Sequence, residues 1–138
     1  MQLRVILEMN GADMSSREWQ FAFNHIHTNF SYIEKVEYIK AMPCFYSKGS
    51  IVGNLIVSEH QGYALSSESG ILAICTAKDD FPVVEWIPKK DIRVVEAENK
   101  LFKAYVRVKT NDIVHVFRVD KKKMSELEKM VNEVRNSV

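Results

Sequence analysis

Cysteine is scarce in this chain of 138 residues: Cys44 and Cys75 are the only two, far apart and each inside an apolar run. Two such residues make no disulfide framework, and they read as reduced, partly buried thiols of a cytoplasmic protein. Neither has a charged group close in sequence that would lower a thiol pKa, which argues against a redox role. Long apolar runs are missing as well. The longest, Gly70 to Ala77 and Ile51 to Val57, fall far below the roughly 20 residues that span a bilayer, so no transmembrane segment is expected. The stretch Met1 to Glu8 has a short apolar core, ends on an acid and lacks a small-residue cleavage site, so it does not read as a signal peptide. The net charge is only +1, and nucleic-acid or anionic-lipid binding would therefore need a local patch. The chain also lacks a catalytic motif, a phosphate loop, an internal repeat and a low-complexity segment, and the expectation is a non-enzyme that uses no cofactor and no metal.

What is present suits an ordinary folded domain: 46% apolar and 27% charged residues, with length enough to bury a real core. From Arg17 to Phe30, apolar Trp19, Ala22, Phe23, Ile26 and Phe30 recur on one helical face. Ser15 or Ser16 is placed to cap that helix, and Glu18 favours its positive end. The run Leu3 to Met9 suits either a strand or a helical turn, and Asn10-Gly11 ends it.

From Lys35 onward short apolar runs alternate with turn signals. Lys35 to Ala41 ends at Met42-Pro43, and Ser47-Lys48-Gly49-Ser50 reads as the turn of a hairpin joining Cys44-Phe45-Tyr46 to Ile51-Val52. Glu59-His60-Gln61-Gly62 reads as a break, and Ser66 to Gly70 as a turn. Ile71 to Cys75 is apolar on both faces, as a central strand covered on both sides would be. Lys78-Asp79-Asp80 is a loop, Val83 to Ile87 and Ile92 to Val95 are strands, and Glu96 to Lys100 is a charged turn. Phe102 to Lys109 alternates, with Phe102, Ala104, Val106 and Val108 on one side and Lys103, Tyr105, Arg107 and Lys109 on the other. Asn111-Asp112, residues that tolerate positive φ, predict a two-residue turn pairing Val108 with His115 and Val106 with Phe117. Asp120 then caps a final helix with Met124, Leu127, Val131 and Val134 facing inward, Met130 at the edge, and Lys122–Glu126 and Lys129–Glu133 pairs outside.

Together these predict one α+β unit, with a helical segment over 1–34 and a curved antiparallel β-barrel over 35–138 closed by the Lys121 to Arg135 helix. The run from about Lys35 to Val134 resembles the bacterial pleckstrin-homology-like domains in the order of four pieces. These are Gly62 to Leu65 followed by Gly70 to Ile74, the segment Glu85 to Val95 with its Ile87-Pro88 and Ile92, the Phe102 to Val119 hairpin, and the last helix. The resemblance implies a partly open β-barrel capped by a C-terminal helix. It does not carry headgroup binding over: the turn Ser66-Ser67-Glu68-Ser69 lacks the arginine common in the family, and Ser47 to Ser50 offers one lysine where phosphoinositide-binding members have a basic cluster.

Isolated polar candidates are weak. His25 and His27, two apart on a helix, point in different directions and share no ion easily. His115, on the apolar face of its strand, reads as a core histidine with a hydrogen-bond partner. Asp79-Asp80 and Glu96 with Glu98 read as solvated loop charges. Trp19 and Trp86 suit the core better than an interface. One surface stands out, the outward side of the last hairpin, with Lys103, Tyr105, Arg107, Lys109 and Arg118. Lysine and arginine there ordinarily keep an exposed strand soluble. A basic strand face holding an aromatic also suits an acidic protein partner or single-stranded nucleic acid. Val114 and Val116 share that side, which favours a protein contact, including self-association, or cover by the N-terminal helix. Nucleic acid or anionic lipid is the alternative, and a ligand site inside the barrel would need a pocket joining His115 to a carboxylate.

Overall fold

The computed structural model describes residues 1–51, 55–77 and 81–137. Three helices open the chain, α1 (Leu3–Met9), α2 (Arg17–Asn29) and α3 (Ser31–Glu34). Seven strands follow, β1 (Tyr38–Ser50), β2 (Leu55–Ser67), β3 (Gly70–Cys75), β4 (Val83–Pro88), β5 (Val94–Asn99), β6 (Ala104–Lys109) and β7 (Ile113–Val119), and α4 (Met124–Asn136) ends it. All strand pairings are antiparallel, in the order β4-β3-β2-β1-β7-β6-β5. The sheet is curved and remains open between its edges β4 and β5.

The long strand β1 makes the curvature possible. It pairs with β2 along its length and with β7 from Phe45 onward, so it belongs to both halves of the sheet. Register shifts against β2 after Tyr38, Tyr46 and Lys48 bend it, as bulges do. Pro43 falls where β1 has a single neighbour, which is where a strand tolerates proline.

Two apolar layers lie on opposite sides of the sheet. On the concave side Met42, Cys44, Tyr46, Ala64, Ile71, Ala73, Ile87, Val106, Val108 and Phe117 meet Leu127, Met130, Val131 and Val134 of α4. On the other side Leu65, Leu72 and Ile74 meet Leu3, Ile6, Leu7, Trp19, Ala22, Ile26 and Ile33 of the N-terminal helices. Every residue of β3 is buried, because the strand is covered from both sides as its sequence predicts. The apolar stripe of α2 explains its docking, and Ser16 Oγ accepts the Trp19 amide hydrogen at 3.3 Å.

Several expectations need correction. Ser47 to Ser50 are not a turn but the end of β1, held by pairing with Val116, His115, Val114 and Ile113 of β7. Glu59 to Gly62 do not break a strand; they run through β2. Glu96 to Asn99 are not a charged turn but most of β5, and all four are exposed at the edge of the sheet, while Val95 packs on the concave core. Phe102 does not share the core face, since β6 begins two residues later and Phe102 is 84% exposed. The hairpin register pairs Val108 with His115 and Val106 with Phe117 as expected, yet neither Asn111 nor Asp112 takes positive φ. A 3₁₀ turn over Lys121–Lys123 precedes α4, so the Asp120 side chain makes no cap hydrogen bond, and Met130 is buried rather than at an edge. Glu126 pairs with Lys40 at 2.7 Å and Lys123 at 3.5 Å in place of Lys122. The strand limits expected at Val52 and the Lys78-Asp79-Asp80 loop lie outside the described residues.

Candidate functional site

The cover provided by the N-terminal helices stops short of the last three strands. It lies over β1 to β4 and leaves the outer faces of β5, β6 and β7 to solvent. Register places the outward residues there in rows. Glu98, Tyr105, Arg118 and Phe45 form one row across β5, β6, β7 and β1, Glu96, Arg107, Val116 and Ser47 the next, and Val94, Lys109, Val114 and Gly49 the third. Four of the five residues singled out in the sequence, Tyr105, Arg107, Lys109 and Arg118, therefore do share one face. Lys103 precedes β6, and its charge lies near enough to Glu59 to help hold that carboxyl low.

Arg107 and Lys109 have acidic partners on the adjacent strand β5, and Arg118 reaches across β1 to an acid of β2. Arg118 donates to both carboxylate oxygens of Glu59 at 2.9 and 2.6 Å, and its guanidinium lies 4.1 Å above the centre of the Phe45 ring. Arg107 donates to Glu98 at 2.7 Å, and Lys109 meets Glu96 at 3.1 Å. The Arg118 hydrogen bonds hold the Glu59 carboxyl below its usual range, and the Arg107 hydrogen bond does the same for Glu98. Tyr105 sits between two cations, Lys100 at 5.5 Å and Arg107 at 5.2 Å from its ring centre. Glu59, Glu96 and Glu98 thus match Arg118, Lys109 and Arg107, with Lys100 also sharing Glu98 at 3.5 Å. Sequence reasoning missed all three acids, because it assigned them to turns. Counting i, i+2 positions along Val94 to Asn99 would have put Glu96 and Glu98 on one strand face.

The histidines separate as their spacing implies. His25 meets the Asn29 side chain and the Phe30 ring, while His27 Nδ1 lies 3.2 Å from Glu34. His115, 5% exposed, has Nδ1 2.7 Å from the Tyr46 hydroxyl inside the barrel. His115 itself lines a broad-mouthed cleft of about 330 Å³ together with Lys48, Glu85, Asp91 and the turn Thr110–Ile113, so the histidine and two carboxylates do share one pocket. Its one ammonium is engaged, since Lys48 Nζ lies 2.5 Å from Glu85. Trp19 is buried and Trp86 is partly buried against the N-terminal layer. Both thiols are free and buried, and burial pushes Cys75 up to about 12 and Cys44 upward as well. The Asp79-Asp80 pair lies outside the described residues.

Comparison of the chain with protein-family models, with curated proteins and with solved structures finds no match.

Proposed function

We propose that the chain is a non-catalytic binding module of the pleckstrin-homology-like kind, and that the outer face of β5 to β7 contacts a protein, a second copy being the simplest partner. A seven-stranded open sheet with its last helix laid along the concave side supports the family reading. The observation that carries the functional reading is the half-covered sheet: one half of the outer side is sealed by helices and the other is left open. The open half presents tyrosine, arginine and valine on a rigid strand lattice, a mixture typical of protein interfaces. Its charges are matched in pairs, which removes the field a polyanion would need and favours protein over nucleic acid. The exposed edge of β5 gives the same face a second means of attachment, the addition of a partner strand.

Sedimentation equilibrium over a wide concentration range tests the self-association form of this reading. Wild type is expected to associate, and Tyr105→Ala with Arg107→Glu, or Val116→Glu alone, is expected to remain monomeric. For a different protein partner, cross-links recovered from the complex should fall on β5 to β7. A monomer at every concentration, together with cross-links elsewhere, would refute the proposal.

A further inference from the structure

The loop between β5 and β6 is a second exposed apolar feature, separate from the strand face. The Lys100 amide donates to the Lys103 carbonyl at 2.8 Å, closing a two-residue tip made of Leu101 and Phe102. These side chains are 77% and 84% exposed, the two most exposed large apolar groups among the described residues. A folded chain gains nothing by holding leucine and phenylalanine in water at the end of a hairpin.

The surroundings of the tip are basic. Lys100 and Lys103 flank it in sequence. The pairing of Ala104 with Val119 brings the start of β6 beside Asp120 and the exposed 3₁₀ turn Lys121–Lys123. Lys100 is shared with Glu98 and Lys123 with Glu126, but among the described residues no ion pair joins Lys103, Lys121 or Lys122. Asp120 is the single acid within the run. The strand face balances its charges, whereas this end of the barrel does not.

We propose that Leu101 and Phe102 insert into the interfacial region of an anionic bilayer, with Lys103, Lys121 and Lys122 resting on its headgroups. The chemistry is a paired one: apolar side chains that leave water and ammonium groups that stay at the charged surface. It uses no headgroup pocket, and the first hairpin, between β1 and β2, takes no part. A protein partner for the tip would have to supply both an apolar socket and several carboxylates, whereas an anionic bilayer presents both over its whole area.

The test is co-sedimentation of the full chain with vesicles of phosphatidylcholine alone and of phosphatidylcholine mixed equally with phosphatidylglycerol, at low and moderate salt. Binding is expected only to the mixed vesicles and should weaken as salt rises. Leu101→Ser with Phe102→Ser should lower the partition constant at least about tenfold. Lys103→Gln, Lys121→Gln and Lys122→Gln together should lower it about a hundredfold, since each lysine near an anionic surface contributes about fivefold. All these positions are exposed, so thermal melts should match wild type. Val116→Glu, on the strand face, should leave vesicle binding unchanged, which keeps this result independent of the protein-contact reading. Equal binding to neutral vesicles, no binding to mixed vesicles at low salt, or full binding by the tip variant would overturn the proposal. So would self-association that the tip variant abolishes without any vesicle uptake, which would make the tip a protein contact.

Discussion

Tyr46 and His115 are joined inside the barrel by a 2.7 Å contact between the phenol oxygen and Nδ1, across two strands that are far apart in sequence. Among the described residues no other group accepts from the phenol, and a buried hydroxyl needs an acceptor, which assigns the hydroxyl as donor to Nδ1 and the ring proton to Nε2. Burial, with the Lys48 charge nearby, pushes the His115 pKa down to about 4 from its ordinary 6.5. The unfolded chain therefore takes up a proton below pH 6.5 that the folded chain refuses until about pH 4. Stability is expected to be full above pH 6.5 and to fall as pH drops through this window, by about 3 kcal/mol at its lower end. The carboxylates held low, Asp13, Glu59, Glu98 and Glu126, lose their contribution only below their ordinary values of 3.8 and 4.5, so the upper part of the window isolates the histidine. Urea midpoints measured down the pH range, with the His115 ring titration followed by NMR, check this. A ring midpoint near 6.5 would sink it.

Gly62 and Gly11 should fail for different reasons when changed to alanine. A Cβ on Gly62 would stand 2.1 Å from the Ile74 carbonyl oxygen and 2.6 Å from the Cys75 Cα, both backbone atoms of β3 that cannot step aside. Gly11 has room, its nearest neighbour being the Tyr63 hydroxyl at 3.8 Å, but its φ is +97°. Gly62→Ala is expected to cost about 2–4 kcal/mol by forcing β2 and β3 apart. Gly11→Ala should cost about 1 kcal/mol of backbone strain. Chemical denaturation of the two variants should show that order, and equal losses would contradict it.

Arg118 and Glu59 should show measurable coupling in a double-mutant cycle. The pair is bidentate and the guanidinium is stacked on Phe45, but both side chains retain solvent contact. A coupling energy of about 0.5–1 kcal/mol between Arg118→Ala and Glu59→Gln is expected, falling as salt rises. Arg118→Lys should recover little of it, because an ammonium neither spans both oxygens nor stacks in the same way. Zero coupling would mean that the two charges are independently solvated.

Periodicity made α2, α4 and the β6–β7 hairpin legible, because Trp19, Ala22 and Ile26, and likewise Val106 and Val108, repeat at the spacing of their own element, whereas α1 and α3 are too short to show a period. The long strands β1 and β2 were less legible. Gly49 and Gly62 look like turn residues, yet each sits where a neighbouring strand comes close or the register shifts, and local sequence carries no sign of a neighbour contributed from a distant part of the chain. The candidate face was half readable for the same reason. Alternation placed Tyr105, Arg107 and Lys109 together, but the acids that pair with Arg107, Lys109 and Arg118 come from β5 and β2, and only the strand order brings Glu98, Glu96 and Glu59 to them. The exposure of Phe102 was hidden because it continues the alternation of Ala104, Val106 and Val108 one step beyond the start of β6.

The burial of β3 from both sides has a consequence for how the molecule folds. Ile71 and Ala73 face α4, while Leu72 and Ile74 face the opening helices, so a single six-residue strand is a party wall between two hydrophobic compartments. Loosening one compartment strips solvent protection from the other. The first 34 residues and the barrel should then melt in one cooperative transition, and a fragment starting at Lys35 would display Leu65, Leu72 and Ile74 as an adhesive stripe.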